Sequence, residues 1–435
     1  MHHRDPLIFS RVSLKKAILI YVLVSFFLIF EMALQVSPSV MALDLMKDLS
    51  ISAFGLGLMS GIYFYTYAGM QVPVGLLFDR FNPKLIITIS VCICSIGAMA
   101  FGLTTQFYLA CIARLLMGLG SAFAFVSVLV IASDLFHKRL FTLLTCLTQM
   151  VAALGAMLGQ LPISMLVHHL GWHLAMCLLG FLGILLALAI WFLLDYEKEP
   201  VSKACLLKAG KYQQSIRSLK QVLSNRQTWV IGLYALLLWS PMSGFASLWG
   251  VSFLMKFDGL NQSMAAFYSS MMWVGLAFGS PLLGMISSFT RNKVWALTIS
   301  AVLGFVAFSL ILEIQLTGPI LGLLLMLAGA SCAGQALSFS LVRDNNPFSI
   351  KATALSVNNM AVVISGAIFQ PLIGFVISGG VLSELSHYTI LDFKRGLLAI
   401  LIAYAIASIT ALFFIKEKHS IRKKLKHGRL VTTNL

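Results

Sequence analysis

Acidic side chains are scarce in this chain. Among 435 residues there are 15 Asp and Glu against 31 Lys and Arg, and charged residues together make up only 11%. The remainder is 59% apolar, with a mean hydropathy of +0.92. No soluble core needs that much apolar surface, so the surplus implies lipid as the solvent. Catalytic and nucleotide motifs are missing as well. No G-x-x-x-x-G-K-[ST] occurs, which excludes a nucleotide-driven pump, and no H-E-x-x-H or nucleophile elbow occurs, which excludes an intramembrane hydrolase motif. Of seven cysteines, Cys92, Cys94, Cys111, Cys146, Cys177 and Cys332 fall inside apolar runs and Cys205 in a polar stretch. None sits where an oxidising compartment would form a disulfide. The Cys92–Cys94 pair has no further ligands near it in sequence, so no metal and no cofactor are expected.

Long apolar runs dominate. Spanning takes about 20 apolar residues per helix, and twelve candidates appear. In the first half they lie at roughly 17–42, 52–77, 84–104, 107–133, 140–167 and 172–194. In the second half they lie at roughly 228–254, 263–289, 294–313, 318–341, 351–378 and 396–415. Barrel strands are excluded, because these runs are continuous and do not alternate. The net charge of +16 suggests nucleic acid until its distribution is read. With the N-terminus placed inside, 26 of the 31 basic residues fall on the inside, four fall outside, and Arg114 lies within a span. That split predicts cytoplasmic termini at both ends, with the basic charge serving topology and contact with anionic membrane lipid, not nucleic acid. The first span reads as a retained anchor, too long for a signal peptide.

One long polar stretch, 195–226, divides six spans from six. The predicted organisation is a bundle over 1–194, a cytoplasmic loop over 195–226, a second bundle over 227–415 and a basic tail over 416–435. Within the loop, Leu206 to Leu223 carries apolar residues at helical spacing beside lysines, consistent with a surface helix on the inner leaflet or with a solvated linker.

Between spans two and three the chain reads Gly75-Leu-Leu-Phe-Asp79-Arg80-Phe-Asn-Pro-Lys84. This G-x-x-x-D-R pattern followed by a basic residue resembles the signature loop of major facilitator superfamily transporters. Arg114-x-x-x-Gly118-x-Gly120 on span four resembles the superfamily's second signature. The resemblance implies an all-α membrane protein with twelve transmembrane helices in two six-helix bundles, related by a pseudo-two-fold axis along the membrane normal. It also implies a multi-pass transporter of the bacterial inner membrane. The loop after span eight, Gly284 to Lys293, repeats the glycine and the basic residues but lacks the aspartate. Gly75 is expected to let helices approach closely. Asp79, Arg80 and Asp134 are expected at a cytoplasmic gate, with Arg80 and Asp134 pairing when the cavity faces outward.

Ionisable groups inside spans are costly, and each is a candidate for function. Glu31 and Arg114 are the two clear ones. Helical rise puts them at depths differing by roughly 6 Å, within reach of an arginine side chain. A pair of that kind either fixes packing or serves substrate or proton binding. Gln35 lies one turn from Glu31. Tyr63, Tyr67 and Gln71 form one stripe on span two, expected to line the cavity. Gln160 follows the close-packing Gly155-x-x-x-Gly159 of span five. The second half offers uncharged candidates: Trp239, Trp273, Gln335, Asn358 and Asn359. His168, His169 and His173 read as interfacial polar residues, not ligands.

A narrower resemblance rests on Leu34 to Met41, Tyr63 to Pro73 and Gly120 to Phe125. These stretches look like the intraphagosomal amino-acid transporters of intracellular proteobacteria, a branch that includes nucleoside carriers. They imply a monomeric, proton-coupled symporter for an amino acid, with Glu31 gripping either the substrate or the coupling proton. An exporter of drugs, or a siderophore or organic-anion carrier, would share the fold. The topology is open to a direct check. Cys205 lies in the central loop, and an impermeant maleimide added to intact cells is expected to leave it unlabelled. Ready labelling would overturn the predicted orientation.

Overall fold

The computed structural model describes residues 13–136, 140–194, 210–290, 293–315, 318–347, 350–379 and 388–417. Every described element is helical. Ten runs are long and apolar enough to cross a bilayer, and the bent pair Ala42–Asp48 with Ala53–Gly75 adds an eleventh. One of the ten, Leu143–Leu193, is 51 residues long. It breaks at Gly171, whose φ of +74° lies in the region a side chain disfavours, so this run is two spans and the total is twelve.

Span one is Leu14–Val36, span two Ala53–Arg80 and span three Pro83–Leu103. Span four joins Phe107–Ser121 to Ala124–Leu135, and span five joins Phe141–Leu158 to the helix starting at Leu161, which continues past Gly171 as span six. Span seven comprises Arg226–Leu238, a wide turn over Pro241–Trp249 and Gly250–Phe257. Span eight is Gln262–Thr290 and span nine Lys293–Glu313. Span ten joins Gly318–Ser331 to Gly334–Asn345, span eleven is Lys351–Ser378 and span twelve runs from Ile390 to Phe414. Spans one to six form one bundle and seven to twelve the other.

The two bundles repeat each other in their irregularities. Span four breaks after Ser121 and span ten after Ser331. Span one ends in a tight 3₁₀ turn, Ser37–Val40, and span seven widens into a π-helix over Pro241–Trp249. Proline accounts for both, since Pro38 and Pro241 lack the N–H that would continue the ladder. Glycine sets the close crossings. A Cβ on Gly118 would collide with the Tyr63 carbonyl, and one on Gly329 would lie 2.6 Å from the Met272 carbonyl carbon. Spans two and four therefore cross backbone to backbone, as do spans eight and ten. The Gly155 and Gly159 pair packs on span one as expected, with Cβ positions 2.8 Å from Ile29 Cα and 2.6 Å from Ala33 Cα.

The bundles meet most tightly on the face away from the chain termini. There a Cβ on Gly57 would lie 2.9 Å from Pro371 Cα, and one on Gly374 would lie 2.9 Å from the Ala53 carbonyl carbon. Toward the terminus face spans two and eleven part. Gly75 is exposed, and nothing lies within 4 Å of where its Cβ would be. The close approach expected at Gly75 is thus absent; it occurs at Gly57 and Gly61 near the other end of the same helix, because the bundles touch there.

In the central loop a helix spans Gly210–Leu223, inside the amphipathic stretch read from the sequence; residues 206–209 of that stretch lie outside the described residues. Trp229 Nε1 donates to the Leu223 carbonyl at 2.7 Å and ties this helix to span seven. The second bundle makes good the aspartate missing from its loop: Lys293 Nζ reaches Asp344 Oδ2 at 2.6 Å, from the end of span ten. The tail from 418 onward also lies outside the described residues. Because the Met272 backbone cannot yield, Gly329→Leu is expected to cost at least about 1–3 kcal/mol of overpacking. A lower melting midpoint and loss of monodisperse protein in detergent would register it; an unchanged melt would contradict the crossing.

Candidate functional site

A cavity of about 110 Å³ lies between the bundles at mid-membrane. That is several times the roughly 30 Å³ share of one water molecule. From the first bundle Glu31, Gln35, Tyr67, Phe125 and Gln149 line it, and from the second Trp239, Trp273, Gln335, Phe339 and Asn359. Phe125, Gln149, Gln335, Phe339 and Asn359 sit on the halves of their spans nearer the terminus face, so the cavity extends that way. The surface is one carboxylate among amides, aromatic rings and aliphatic side chains such as Met32, Leu276 and Val362. Amides supply both donors and acceptors, and the indoles supply flat apolar faces with a single N–H each. This set suits a compact solute carrying several hydrogen-bonding groups. Trp273 Nε1 is buried without a hydrogen-bond partner in the protein.

Behind the cavity wall stands a column of three side chains from three spans. Tyr63 is wholly buried and its hydroxyl donates to Glu31 Oε1 at 2.7 Å. The Arg114 guanidinium carbon lies 4.7 Å from the centroid of the Tyr63 ring. Arg114 Nη1 donates to the Leu34 carbonyl of span one at 2.9 Å. Glu31 and Arg114 do not form an ion pair, because Tyr63 occupies the space between them. Helix geometry explains the wedge. Gly118, one turn beyond Arg114, brings spans two and four into backbone contact at Tyr63, which sets the phenol beside the guanidinium. Three polar atoms of the column are left without protein partners: Glu31 Oε2, Arg114 Nε and Arg114 Nη2.

The structure therefore divides the residues singled out from the sequence. Seven of the twelve line the cavity: Glu31, Gln35, Tyr67, Trp239, Trp273, Gln335 and Asn359. Tyr63 and Arg114 lie in the second layer, so the expectation that Arg114 faces the cavity is corrected; the Tyr63 ring screens it. Gln71 is not in the lining either, since its Oε1 accepts from Asn359 Nδ2 at 2.6 Å across the bundles. Asn358 turns away and donates to Ser338 Oγ at 2.8 Å, within its own bundle. Sequence reasoning gave no role to Gln149, Phe125 or Phe339. Neither phenylalanine carries a polar signal that would mark it among the chain's 31.

Gln160 is displaced furthest from its expected role. It sits at the break between Leu158 and Leu161, wholly buried, in the seam on the far face. Its Nε2 donates to the Ala246 carbonyl at 2.6 Å and to Ser269 Oγ at 3.1 Å, both in the other bundle. Gln262 reaches back to the Val40 carbonyl, and Ser164 Oγ lies 3.3 Å from Ser263 Oγ. Gln160 thus closes the cavity and does not line it. Of the expected gate on the terminus face, Gly75 is open and Asp134 accepts from Ser133 Oγ at 3.3 Å. The side chains of Asp79 and Arg80 lie outside what is described. His168 and His169 are exposed near the Gly171 break, in keeping with an interfacial place.

The family model of the Major Facilitator Superfamily matches residues 21–370. A Bacillus subtilis (strain 168) protein described as an uncharacterized transporter, YybO, is 24% identical over 359 residues, covering 77% of this chain and 81% of that protein. The probable galactarate/D-glucarate transporter GudP of the same organism is 27% identical over 276 residues, covering 58% of this chain and 60% of GudP. Among solved structures, a bacterial homolog of the human lysosomal transporter Spinster, inward-facing and unoccupied, superposes with a TM-score of 0.76 at 19% identity, covering 92% of this chain and 97% of that one.

The seam around Gln160 is testable without a substrate. Gln160 contributes two of the seam's hydrogen bonds, at about 0.5–1.5 kcal/mol each, so Gln160→Ala is expected to shift the closed–open balance by about fivefold or more. A cysteine placed at Ser39 would report this as faster reaction with an impermeant thiol reagent applied to the far face. An unchanged rate would show that other contacts hold the seam.

Proposed function

Because the chain belongs to the major facilitator superfamily, we propose that it is a proton-coupled carrier of a small hydroxylated organic anion of the sugar-acid class. One observation carries the reading: a single carboxylate lines the cavity, and a single arginine with two unpartnered guanidinium nitrogens stands just behind it. With Glu31 ionised, the two opposite charges offset each other. When Glu31 takes a proton, Arg114 remains as one uncompensated positive charge in a medium of low dielectric, and an anion in the cavity is favoured. Proton and anion then travel together. The amides and indoles around the cavity fit a polyhydroxylated body, and the similarity to GudP, a probable galactarate/D-glucarate transporter, points to the same class.

The amino-acid reading finds less support. A zwitterion would need ionised Glu31 for its ammonium and Arg114 for its carboxylate, which leaves no carrier for a proton. The relatives just described do not favour the narrower resemblance to intraphagosomal carriers. Broad drug export asks for a larger and less polar cavity. The proposed setting is a bacterial inner membrane with both termini cytoplasmic, a bundle over 1–194, the loop over 195–226, a second bundle over 227–415 and the tail over 416–435. One chain holds the whole cavity, so a monomer suffices.

Uptake of radiolabelled solutes into proteoliposomes under an imposed pH gradient tests the proposal. D-glucarate or galactarate is expected to accumulate against its gradient while neutral amino acids are not. Glu31→Gln should abolish gradient-driven accumulation yet keep exchange of solute for solute. Arg114→Lys keeps the charge but loses the planar fork, and should weaken anion binding. Accumulation of amino acids alone, or full gradient-driven transport in both variants, would refute the assignment.

A further inference from the structure

We infer that Tyr63 is a positioning residue that keeps Arg114 covered while Glu31 is ionised and uncovers it once Glu31 is neutral. This deepens the proton–anion reading above and rests on it for its purpose, though not for its geometry. The phenol is held at its hydroxyl end, which donates to Glu31 Oε1 at 2.7 Å and also meets the Ser121 hydroxyl, while its ring lies against the Arg114 guanidinium at 4.7 Å. The backbone that carries it cannot shift. Thr66 Oγ1 donates to the Tyr63 and Leu115 carbonyls at 3.0 and 3.1 Å, and the absent Cβ of Gly118 lets the two helices lock there. Any change at this point is a rotation of the Tyr63 side chain.

Two groups stand ready on either side of that rotation. Arg114 is held by one bond, Nη1 to the Leu34 carbonyl, and its Nε and Nη2 have no protein partner. Glu31 Oε2 is likewise unpartnered, and Glu31 itself lines the cavity. The other ionisable groups around the phenol are Tyr67 on its own span, Cys94 on span three and Cys111 on span four, beside Arg114. Glu31 is the one among these that both touches the Tyr63 hydroxyl and faces the cavity. A phenol donating to a carboxylate makes a charge-assisted bond roughly twice as strong as one to a neutral acceptor. The proton thus weakens the anchor, the ring swings, and the guanidinium fork is presented to an anion beside Glu31. The order follows: proton first, anion second.

Arginine modification tests this directly. Purified protein in detergent is treated with p-hydroxyphenylglyoxal at a single pH, and modification of Arg114 is followed by peptide mass spectrometry with exposed Arg343 as the internal standard. In the wild-type protein Arg114 should be strongly protected. In Tyr63→Phe, which keeps the ring but removes its anchor, and in Glu31→Gln, which keeps the shape but removes the charge, modification should be at least about fivefold faster at an unchanged Arg343 rate. Protection equal to wild type in both variants would overturn the inference. Faster modification in Tyr63→Phe alone would overturn it too, since Tyr63 would then be a fixed screen insensitive to Glu31. If Tyr63→Phe melts below the assay temperature, Glu31→Gln decides alone; if Glu31→Gln melts, Glu31→Asn takes its place. Adding D-glucarate separates the two claims: restored protection in Tyr63→Phe supports the sugar-acid reading, while fast modification unaffected by D-glucarate counts against that substrate and leaves the role of Tyr63 standing.

Discussion

A carboxylate and a guanidinium at mid-membrane depth, separated by one phenol ring, set the terms for the rest of the first bundle. Either charge alone in hydrocarbon would cost several kcal/mol. A direct ion pair would lower that cost, but it would also fix both groups in one state. The Tyr63 ring satisfies each partially: a hydrogen bond to Glu31 on its edge and a cation–π contact with Arg114 on its face. A buried contact of the latter kind contributes about 2 kcal/mol. The column is therefore stable enough to fold around and loose enough to change, and it requires spans one, two and four to converge at one depth. Gly118 permits that convergence by removing the side chain that would hold spans two and four apart.

The second bundle shows what the same scaffold is without charges. Spans eight and ten cross at Gly275 and Gly329 as two and four cross at Gly118, and the residue facing Gly329 is Met272, where the first bundle has Tyr63 facing Gly118. Next to it Trp273 offers the cavity an indole with a free N–H. Repetition of the backbone with divergence of the side chains separates two jobs. One half holds the ionisable pair that responds to a proton, and the other presents a neutral surface that need not change charge as the solute enters and leaves.

Much of this was legible in the sequence, and the reasons are physical. Spans follow from hydropathy because an unsatisfied backbone in lipid is not tolerated. Glu31 and Arg114 stood out because charge within a span is rare. Depth along a helix could be read at 1.5 Å per residue, but direction around it could not be fixed without knowing which neighbour each face meets. Hence Tyr63, Tyr67 and Gln71 were correctly joined in one stripe, yet only Tyr67 reaches the cavity; Tyr63 is drawn behind it by the Gly118 crossing and Gln71 across it by Asn359. Gln160 looked like a binding residue because it is polar and buried. Its role at the seam depends on the helix break between Leu158 and Leu161, which turns its amide toward the other bundle. The Lys293–Asp344 bond joins residues 51 positions apart, a distance over which no local pattern in the sequence connects them.

The closed seam and the open end belong to one arrangement. On the far face the bundles are joined by backbone contacts at glycines and by hydrogen bonds from Gln160 and Gln262 to carbonyls in the opposite bundle. These bonds are short-range and exact a polar cost if broken in lipid, so water or new partners must replace them when the far face opens. On the terminus face the cross-bundle bond at the cavity's edge is Gln71 to Asn359, between two neutral amides. Neutral bonds of that kind are individually weak, of about 0.5–1.5 kcal/mol. A cavity sealed by several bonds on one side and strapped by an amide pair on the other is biased, not locked. A solute that replaces the amide pair with its own hydroxyls, or neutralises the charge left on Arg114, contributes energy of the same size as the bias. Coupling between solute and conformation needs no more than that match of magnitudes.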